Sequence, residues 1–199
     1  LFFVIGFTGL IIYNRIKQKA RLRQLEEDRK NKELQAARDL QISLLPKSTP
    51  KRNDLDIATF IRSSTEVGGD YYDFMSQENG NIYSICGDAT GHGVTSGMMV
   101  SITKAGLNGI EAIAPNVILQ KLNKVVKKVD LGTLRMSLNI VEISQNELNM
   151  SSAAMPPIYL YKSGANSVEE LMQSGLPLGG LKNESFEQIK RNFESGDVL

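Results

Sequence analysis

Val67-Gly68-Gly69-Asp70-Tyr71-Tyr72-Asp73-Phe74, then a turn-rich insert, then Ile82-Tyr83-Ser84-Ile85-Cys86-Gly87-Asp88-Ala89-Thr90-Gly91-His92-Gly93 is the stretch that decides the fold. Two apolar, β-favouring runs, Tyr71 to Met75 and Ile82 to Cys86, flank Glu78-Asn79-Gly80-Asn81, whose Asn-Gly core is a strong hairpin signal. Folding that hairpin brings Asp70, at the start of one strand, beside Asp88, at the end of its antiparallel partner. Glycines flank both carboxylates, so the backbone can turn sharply and approach a ligand. A single Gly-Asp at a strand end is usually only a turn. Two of them joined by one hairpin make a paired-carboxylate site, which suits hard divalent cations that take oxygen ligands.

Val-Gly-Gly-Asp-Tyr-Tyr-Asp followed by Gly-Asp-Ala-Thr-Gly-His-Gly resembles, in order and spacing, the SpoIIE/RsbU branch of the metal-dependent protein phosphatases, the PPM superfamily. The resemblance extends from Gln35 to Leu199.

The 199 residues suffice for one well-buried domain plus an extension. A formal net charge of +1 argues against a nucleic-acid partner. The balance hides a local asymmetry, since Arg15 to Asp39 holds nine of the 23 Lys/Arg but only five of the 22 Asp/Glu. Cys86, the single cysteine, excludes an internal disulfide. Its place in an expected buried strand reads as core packing.

Leu1 to Tyr13 is nearly all apolar, and Arg15, Lys17, Lys19, Arg21 and Arg23 follow at once. The run is shorter than the ~20 residues that cross a bilayer. The chain starts on Leu, so residues 1–14 read as the C-terminal part of a transmembrane helix, with Tyr13 at the interface and the basic cluster on the cytoplasmic side. That order of charges places the protein at an inner or plasma membrane with the following domain in the cytoplasm. Arg15 to Leu45 lacks Pro and Gly and reads as one linker or signalling helix, residues 15–45, stopped by Pro46. Leu34, Ala37, Gln41 and Leu44 keep one face, which is either a solvated spacer or the seam of a parallel homodimer. Gln41 to Pro46, Gln-x-x-Leu-Leu-Pro, matches the segment preceding the phosphatase domain in the resembled family, where it implies a helix whose position switches the enzyme.

Residues 46–199 read as the domain itself. After a Pro46 to Asn53 linker, Asp54 to Ser64 is expected to be a strand with Leu55, Ile57, Thr59 and Ile61 facing one way. Val94 to Gly109 is a helix with Met98, Ile102 and Ala105 at helical spacing, Met98 and Met99 reading as core filler. A second helix opens at Pro115 and carries Ile118, Leu122, Val125 and Val129. From Leu131 the period changes to 2: Leu134 to Ile140, Leu148 to Ser152 and Pro157 to Tyr161 are strands, with further short ones at Ser185 to Phe193 and from Val198. Helices between groups of hairpin strands give an α+β fold with antiparallel sheets. The resemblance sharpens this to a phosphatase sandwich of antiparallel β-sheets flanked by helices.

One His and one Cys exclude zinc sites built from those ligands. No Gly-x-Ser-x-Gly elbow supports a Ser-His-Asp triad, and no Gly-Lys-Ser/Thr ending makes Gly87 to Gly93 a P-loop. Metal-assisted hydrolysis remains, which needs no nucleophilic side chain.

Carried over residue by residue, the resemblance implies that Asp70 and Asp88 are the catalytic residues. Asp88 would bridge two Mn²⁺ or Mg²⁺ ions, Asp70 would bind one of them, and Ala89 would contribute its backbone carbonyl. Asp73 also matches a family position, with a structural role open to it. His92 is either a general acid or a hydrogen-bonding cap of its turn. Ala153-Ala154-Met155-Pro156-Pro157 stands where the family has an Ala-Gly-His-Pro-like segment, and Leu176-Pro177-Leu178-Gly179 matches its Pro-Leu-Gly segment. Glu194 to Leu199 resembles the turn before a Ser/Thr-Asp-Gly motif that carries a further metal-binding Asp. That motif is not in the sequence and Asp197 does not replace it, so the C-terminal part of the domain reads as missing. The implied function is an Mn²⁺- or Mg²⁺-dependent phosphatase acting on phosphoserine or phosphothreonine of a regulatory protein, such as an anti-sigma-factor antagonist, as the output domain of a membrane signalling protein. The alternative is an inactive phosphatase-like module that binds a partner and relays a signal.

Overall fold

A computed structural model of the chain describes residues 2–62, 67–111 and 113–199. One helix, α1 (Phe2–Leu44), runs unbroken through the apolar start and the basic stretch, as a Pro-free and strongly helix-forming segment should. The expected membrane location is overturned here: among the described residues, no helix is long and apolar enough to cross a membrane. Polar and basic residues take over after Tyr13, so no window of spanning length stays apolar.

The hairpin forms where the Asn-Gly turn places it. Strands β1 (Asp70–Ser76) and β2 (Ile82–Ala89) pair antiparallel, and the Gln77 N–H donates to the Asn81 carbonyl at 2.9 Å to close the turn. Helices α2 (Val94–Asn108) and α3 (Pro115–Val129) follow. The chain then runs through β3 (Met136–Ile143), β4 (Glu147–Ala153), β5 (Ile158–Lys162), β6 (Ser167–Leu171) and β7 (Ile189–Asn192). A five-stranded antiparallel sheet has the order β1-β2-β3-β4-β7, and β5-β6 is a separate hairpin. The return strand β6, after the Ser163 to Asn166 turn, is absent from the sequence reading; its Ser-Val-Glu-Glu-Leu lacks a clean apolar alternation.

The pleat divides the sheet's side chains between two layers. Tyr71, Tyr83, Ile85, Met136, Leu138 and Ile140 face the helices and form one core with Met99, Val100 and Leu107 of α2 and Ile118, Leu122 and Val126 of α3. Val141, Ile143, Leu148 and Met150 face the other way, against Leu160 of β5 and Leu171 of β6. Burying each such aliphatic side chain is worth about 1.5–3 kcal/mol, so helices and hairpin are both fixed to the sheet mainly by this apolar contact.

Several expectations are corrected. Residues 56–62 form no strand, and only an isolated bridge joins Arg52 to Leu55; the end of the expected strand lies outside the described residues. A strand persists only within a ladder, and Leu55 instead contributes to the second core. Met98 is half exposed and Met99 fully buried, because the buried face of α2 runs through Ser96, Met99, Val100, Thr103 and Leu107. Val129 is likewise exposed, the inner face of α3 passing through Val126. Cys86 is exposed rather than part of the core, since it stands on the face of β2 opposite Ile85. The expected dimer seam is half-buried within the chain itself. Leu34, Ala37, Gln41 and Leu44 are partly covered, and α1 packs on α2.

Candidate metal centre

The register of the hairpin places Asp70 directly opposite Asp88. Both are exposed, at the end of the sheet and on the face away from the helices, in line with Tyr72 and Phe74 on β1 and Cys86 and Ser84 on β2. The next strand adds Ser137 opposite Asp88 and Asn139 opposite Cys86. The Asp70 charge at the same register position disfavours ionisation of Asp88. The Asp88 carboxyl is pushed above the usual carboxylate range by burial first and by Asp70 second. The Cys86 thiol, though the residue is exposed, is raised by partial desolvation first and then by the Asp70 and Asp88 carboxylates.

Gly69 completes the arrangement. A β-carbon there would lie 2.5 Å from the Ala89 carbonyl oxygen and 2.7 Å from Asp88 Oδ1, so two oxygens converge on the space that only glycine leaves open. The Ala89 N–H donates to the Gly69 carbonyl at 3.0 Å, which locks the end of β2 against the start of β1. Asp70, Asp88 and the Ala89 carbonyl, the three sites named from the resemblance, therefore stand together. The donors are all oxygen, two of them carboxylates whose like charges a cation would relieve, and so the set fits Mn²⁺ or Mg²⁺. It is also open. Among the described residues, no group of three or more His, Cys, Asp or Glu side chains is placed to hold a metal ion.

Behind the carboxylates the backbone is held by the start of α2. Gly93, the residue before that helix, has φ 76°, a conformation L side chains rarely adopt, and its N–H donates to the Val67 carbonyl at 3.1 Å. His92 is exposed in this turn, and its backbone carbonyl accepts from Thr95 Oγ1 at 3.4 Å. Thr90 and Arg135 exchange two hydrogen bonds, 2.9 Å each, which tie the loop after β2 to the approach of β3.

Asp73 points the other way, into the helix-facing core, and is 3% exposed. Its Oδ2 accepts from Tyr71 Oη at 2.6 Å and from Lys104 Nζ of α2 at 2.5 Å, while Oδ1 accepts from the Phe74 N–H at 2.9 Å. This buried ion pair bolts α2 to the strand that carries Asp70. Sequence reading singled out Asp73 without its partners, because Lys104 lies 31 residues away on another element. Asp197 is also occupied elsewhere: Lys162 and the Ser163 and Glu194 N–H groups donate to it at the end of β5.

A cleft of about 820 Å³ runs along the same face. It begins two residues further along each strand, at Tyr72 and Cys86, and continues past Phe74 and Ser84. The carboxylates lie beyond its end, at the sheet's rim.

A model of the family described as stage II sporulation protein E (SpoIIE) matches residues 78–199, a span that includes Asp88 and Ala89. Phosphoserine phosphatase RsbU of Bacillus subtilis (strain 168) is 26% identical over 182 residues, covering 89% of this chain and 54% of that protein. The chain thus spans about half the length of this curated relative. Among solved structures, the SiaA-PP2C domain of Pseudomonas aeruginosa aligns with a TM-score of 0.66 at 19% identity, over 86% of this chain and 70% of that one. RsbX in complex with magnesium aligns with a TM-score of 0.54 at 16% identity, over 66% and 63%. At these identities the structural likeness concerns the fold, whose helix and sheet layers are the same α+β arrangement. The chain belongs to the SpoIIE family, whose model covers more than half of it.

Proposed function

We propose that this chain is a Mn²⁺- or Mg²⁺-dependent phosphatase that hydrolyses phosphoserine or phosphothreonine on a regulatory protein. The observation that carries the reading is the convergence of the Asp88 carboxylate and the Ala89 carbonyl on Gly69, with Asp70 across the strand pair. Similarity to a phosphoserine phosphatase supports the substrate class, and similarity to a protein bound to magnesium supports the cofactor. Asp70, Asp88 and the Ala89 carbonyl would hold the cation. When bound, divalent cations supply Lewis acidity and an activated water for in-line attack on phosphorus. The chain's own contribution is to hold anionic oxygens at fixed positions on a sheet end, where the backbone is braced by hydrogen bonds and does not need to reorganise. The exposure of both carboxylates leaves the site open to a phosphorylated side chain presented on another protein's surface.

A second reading, a phosphatase-like module that binds a partner without hydrolysis, is favoured by the openness of the donor set among the described residues. The two separate in one experiment. Titration calorimetry should show Mn²⁺ uptake that Asp88→Asn abolishes, and a phosphoserine peptide should release phosphate only when Mn²⁺ is bound. Uptake without turnover on any of several phosphopeptides selects the non-catalytic module; unchanged affinity in Asp88→Asn overturns the metal centre itself.

A further inference from the structure

Charge on this chain is balanced overall but not locally. Residues 115–135 and 179–185 hold six of the 23 Lys/Arg, namely Lys121, Lys124, Lys127, Lys128, Arg135 and Lys182, against two of the 22 Asp/Glu, Asp130 and Glu184. Four of the six cations stand on α3. Lys121, Lys124 and Lys128, spaced i, i+3 and i+7, share one face of that helix, away from the buried stripe of Ile118, Leu122 and Val126, and all three are exposed. Their stripe is about 10 Å long. None of the six cations forms an ion pair among the described residues.

Beside the stripe a second segment is fastened to the helix. Asn123 of α3 is 1% exposed; its Oδ1 accepts from the Gly179 N–H at 2.8 Å and its Nδ2 donates to the Leu181 carbonyl at 2.8 Å. Lys127 Nζ donates to the Gly180 carbonyl at 3.3 Å. Residues 179–181 are therefore held by their backbone, while Leu181 stays 59% exposed. An exposed leucine alone is ordinary. One fixed beside unpaired ammonium groups offers another protein an apolar contact together with charge. The same segment leads towards the metal centre. A β-carbon on Gly179 would lie 2.9 Å from Val126 Cγ1 and 3.4 Å from Arg135 Cδ, and Arg135 exchanges hydrogen bonds with Thr90, the residue after Ala89.

We infer that the lysine face of α3, with Leu181 at its side, is a docking surface for an acidic protein surface flanking the phosphorylated residue of the substrate. This rests on the phosphoprotein reading above and adds the chemistry of the substrate's flanks. Charge complementarity selects the occupant, since three aligned and unpaired ammonium groups attract carboxylates and repel a basic partner. A protein fits better than a nucleic acid, because residues 115–135 and 179–185 contain no aromatic side chain on which bases could stack and the chain as a whole is nearly neutral.

The test uses two labelled peptides that carry a non-hydrolysable phosphonate in place of phosphoserine and differ only in having glutamates or lysines on both sides of it. Binding is read by fluorescence anisotropy in Mn²⁺-containing buffer. At low salt the Glu-flanked peptide should bind about tenfold more tightly, the combined effect of a few exposed ion pairs, and high salt should erase the difference. The triple variant Lys121→Glu/Lys124→Glu/Lys128→Glu should lose the preference with its fold intact by circular dichroism. Lys17→Glu/Lys19→Glu/Lys30→Glu, the same change of net charge at exposed positions of α1, should keep it. Equal binding of the two peptides overturns the inference, as does a preference that survives in the α3 variant or vanishes equally in the α1 variant. A DNA oligonucleotide that displaces the Glu-flanked peptide at equal concentration also overturns it, by making the surface a site for any polyanion. Phosphoserine versions of the two peptides separate docking from hydrolysis. Turnover of both without any preference in binding removes the docking surface and leaves the phosphatase standing; preferential binding with no turnover of either supports the surface and overturns hydrolysis.

Discussion

Gly69 approaches Ala89 so closely that a β-carbon on it would stand 2.5 Å from the Ala89 carbonyl oxygen, while the Ala89 N–H holds the Gly69 carbonyl at 3.0 Å. The clash would be with backbone, which cannot swing aside as a side chain can. A methyl group therefore has to push the two strand ends apart.

Gly69→Ala is expected to remove Mn²⁺ binding while leaving most of the fold in place, because, of the two cores, only the Tyr71 and Ala89 edge of the helix-facing one adjoins Gly69. Calorimetry with Mn²⁺ alongside thermal unfolding of the metal-free protein checks this. Retained affinity would mean that the strand ends yield, and that the convergence of oxygens on Gly69 is not what binds the cation.

Asp88 makes a prediction of opposite sign for stability. Its carboxyl is raised by burial and by Asp70, so the ionised form is disfavoured in the folded state, and that burden is fully present at pH values above its raised pKa. Asp88→Asn removes it. The metal-free variant should melt at a higher temperature than the unmodified protein at neutral pH, and added Mn²⁺, which stabilises only a protein that binds it, should no longer raise the melting point. A lower melting temperature in chelator would contradict the like-charge account.

The hairpin was legible because everything that defines it is local: an Asn-Gly turn, alternating apolar residues, and glycines at both carboxylates. Register then follows from the turn, and with it the pairing of Asp70 with Asp88. Helices and most strands from Val94 onward were legible for the same reason, but not β6, and Val198 makes only an isolated bridge to Tyr161. The helix faces were less so. Met98 and Val129 are apolar but exposed, because which stripe of a helix turns inward depends on the sheet it meets. What the sequence hid were the long-range pairs. The Gln-x-x-Leu-Leu-Pro ending marks the end of a helix, yet nothing local says that Gln41 will reach Gly68 or that Lys104 will reach Asp73. The face of Leu34, Ala37, Gln41 and Leu44, read as either a spacer or a dimer seam, is half-buried within the chain, where α1 packs on α2. The membrane reading is contradicted because, among the described residues, no helix is long and apolar enough to cross a membrane.

Lys104→Met tests the buried pair. Asp73 is almost wholly enclosed, and removing its cation leaves a carboxylate with only Tyr71 and one backbone N–H as partners. Losing one member of a buried pair typically costs ~3–5 kcal/mol. Lys104 itself is partly exposed, so the expected loss is at the low end, about 3 kcal/mol, read from urea unfolding. A change within ~0.5 kcal/mol, the range of ordinary surface substitutions, would show that the pair does not hold α2 to β1.

Asp197 gives the pH dependence. Its carboxylate accepts from Lys162, from the Ser163 and Glu194 N–H groups at 2.9 Å each, and from Ser163 Oγ at 3.3 Å. Donation by Lys162 is the main reason its pKa is held down to about 2 from an ordinary 3.8. These bonds pin residues 194–198 onto β5, where Tyr161 and Val198 exchange backbone hydrogen bonds of 2.8 and 3.0 Å. A carboxylate whose folded pKa lies below its unfolded value stabilises the protein above the unfolded value and loses that contribution as the pH falls through the folded one. The unmodified protein should therefore exceed Asp197→Asn in stability at pH 5 and above, with the gap closing from about pH 4 towards pH 2. Paired urea titrations across that range provide the check. A gap that stays constant with pH would show that the charge on Asp197 contributes nothing and that shape alone holds the turn.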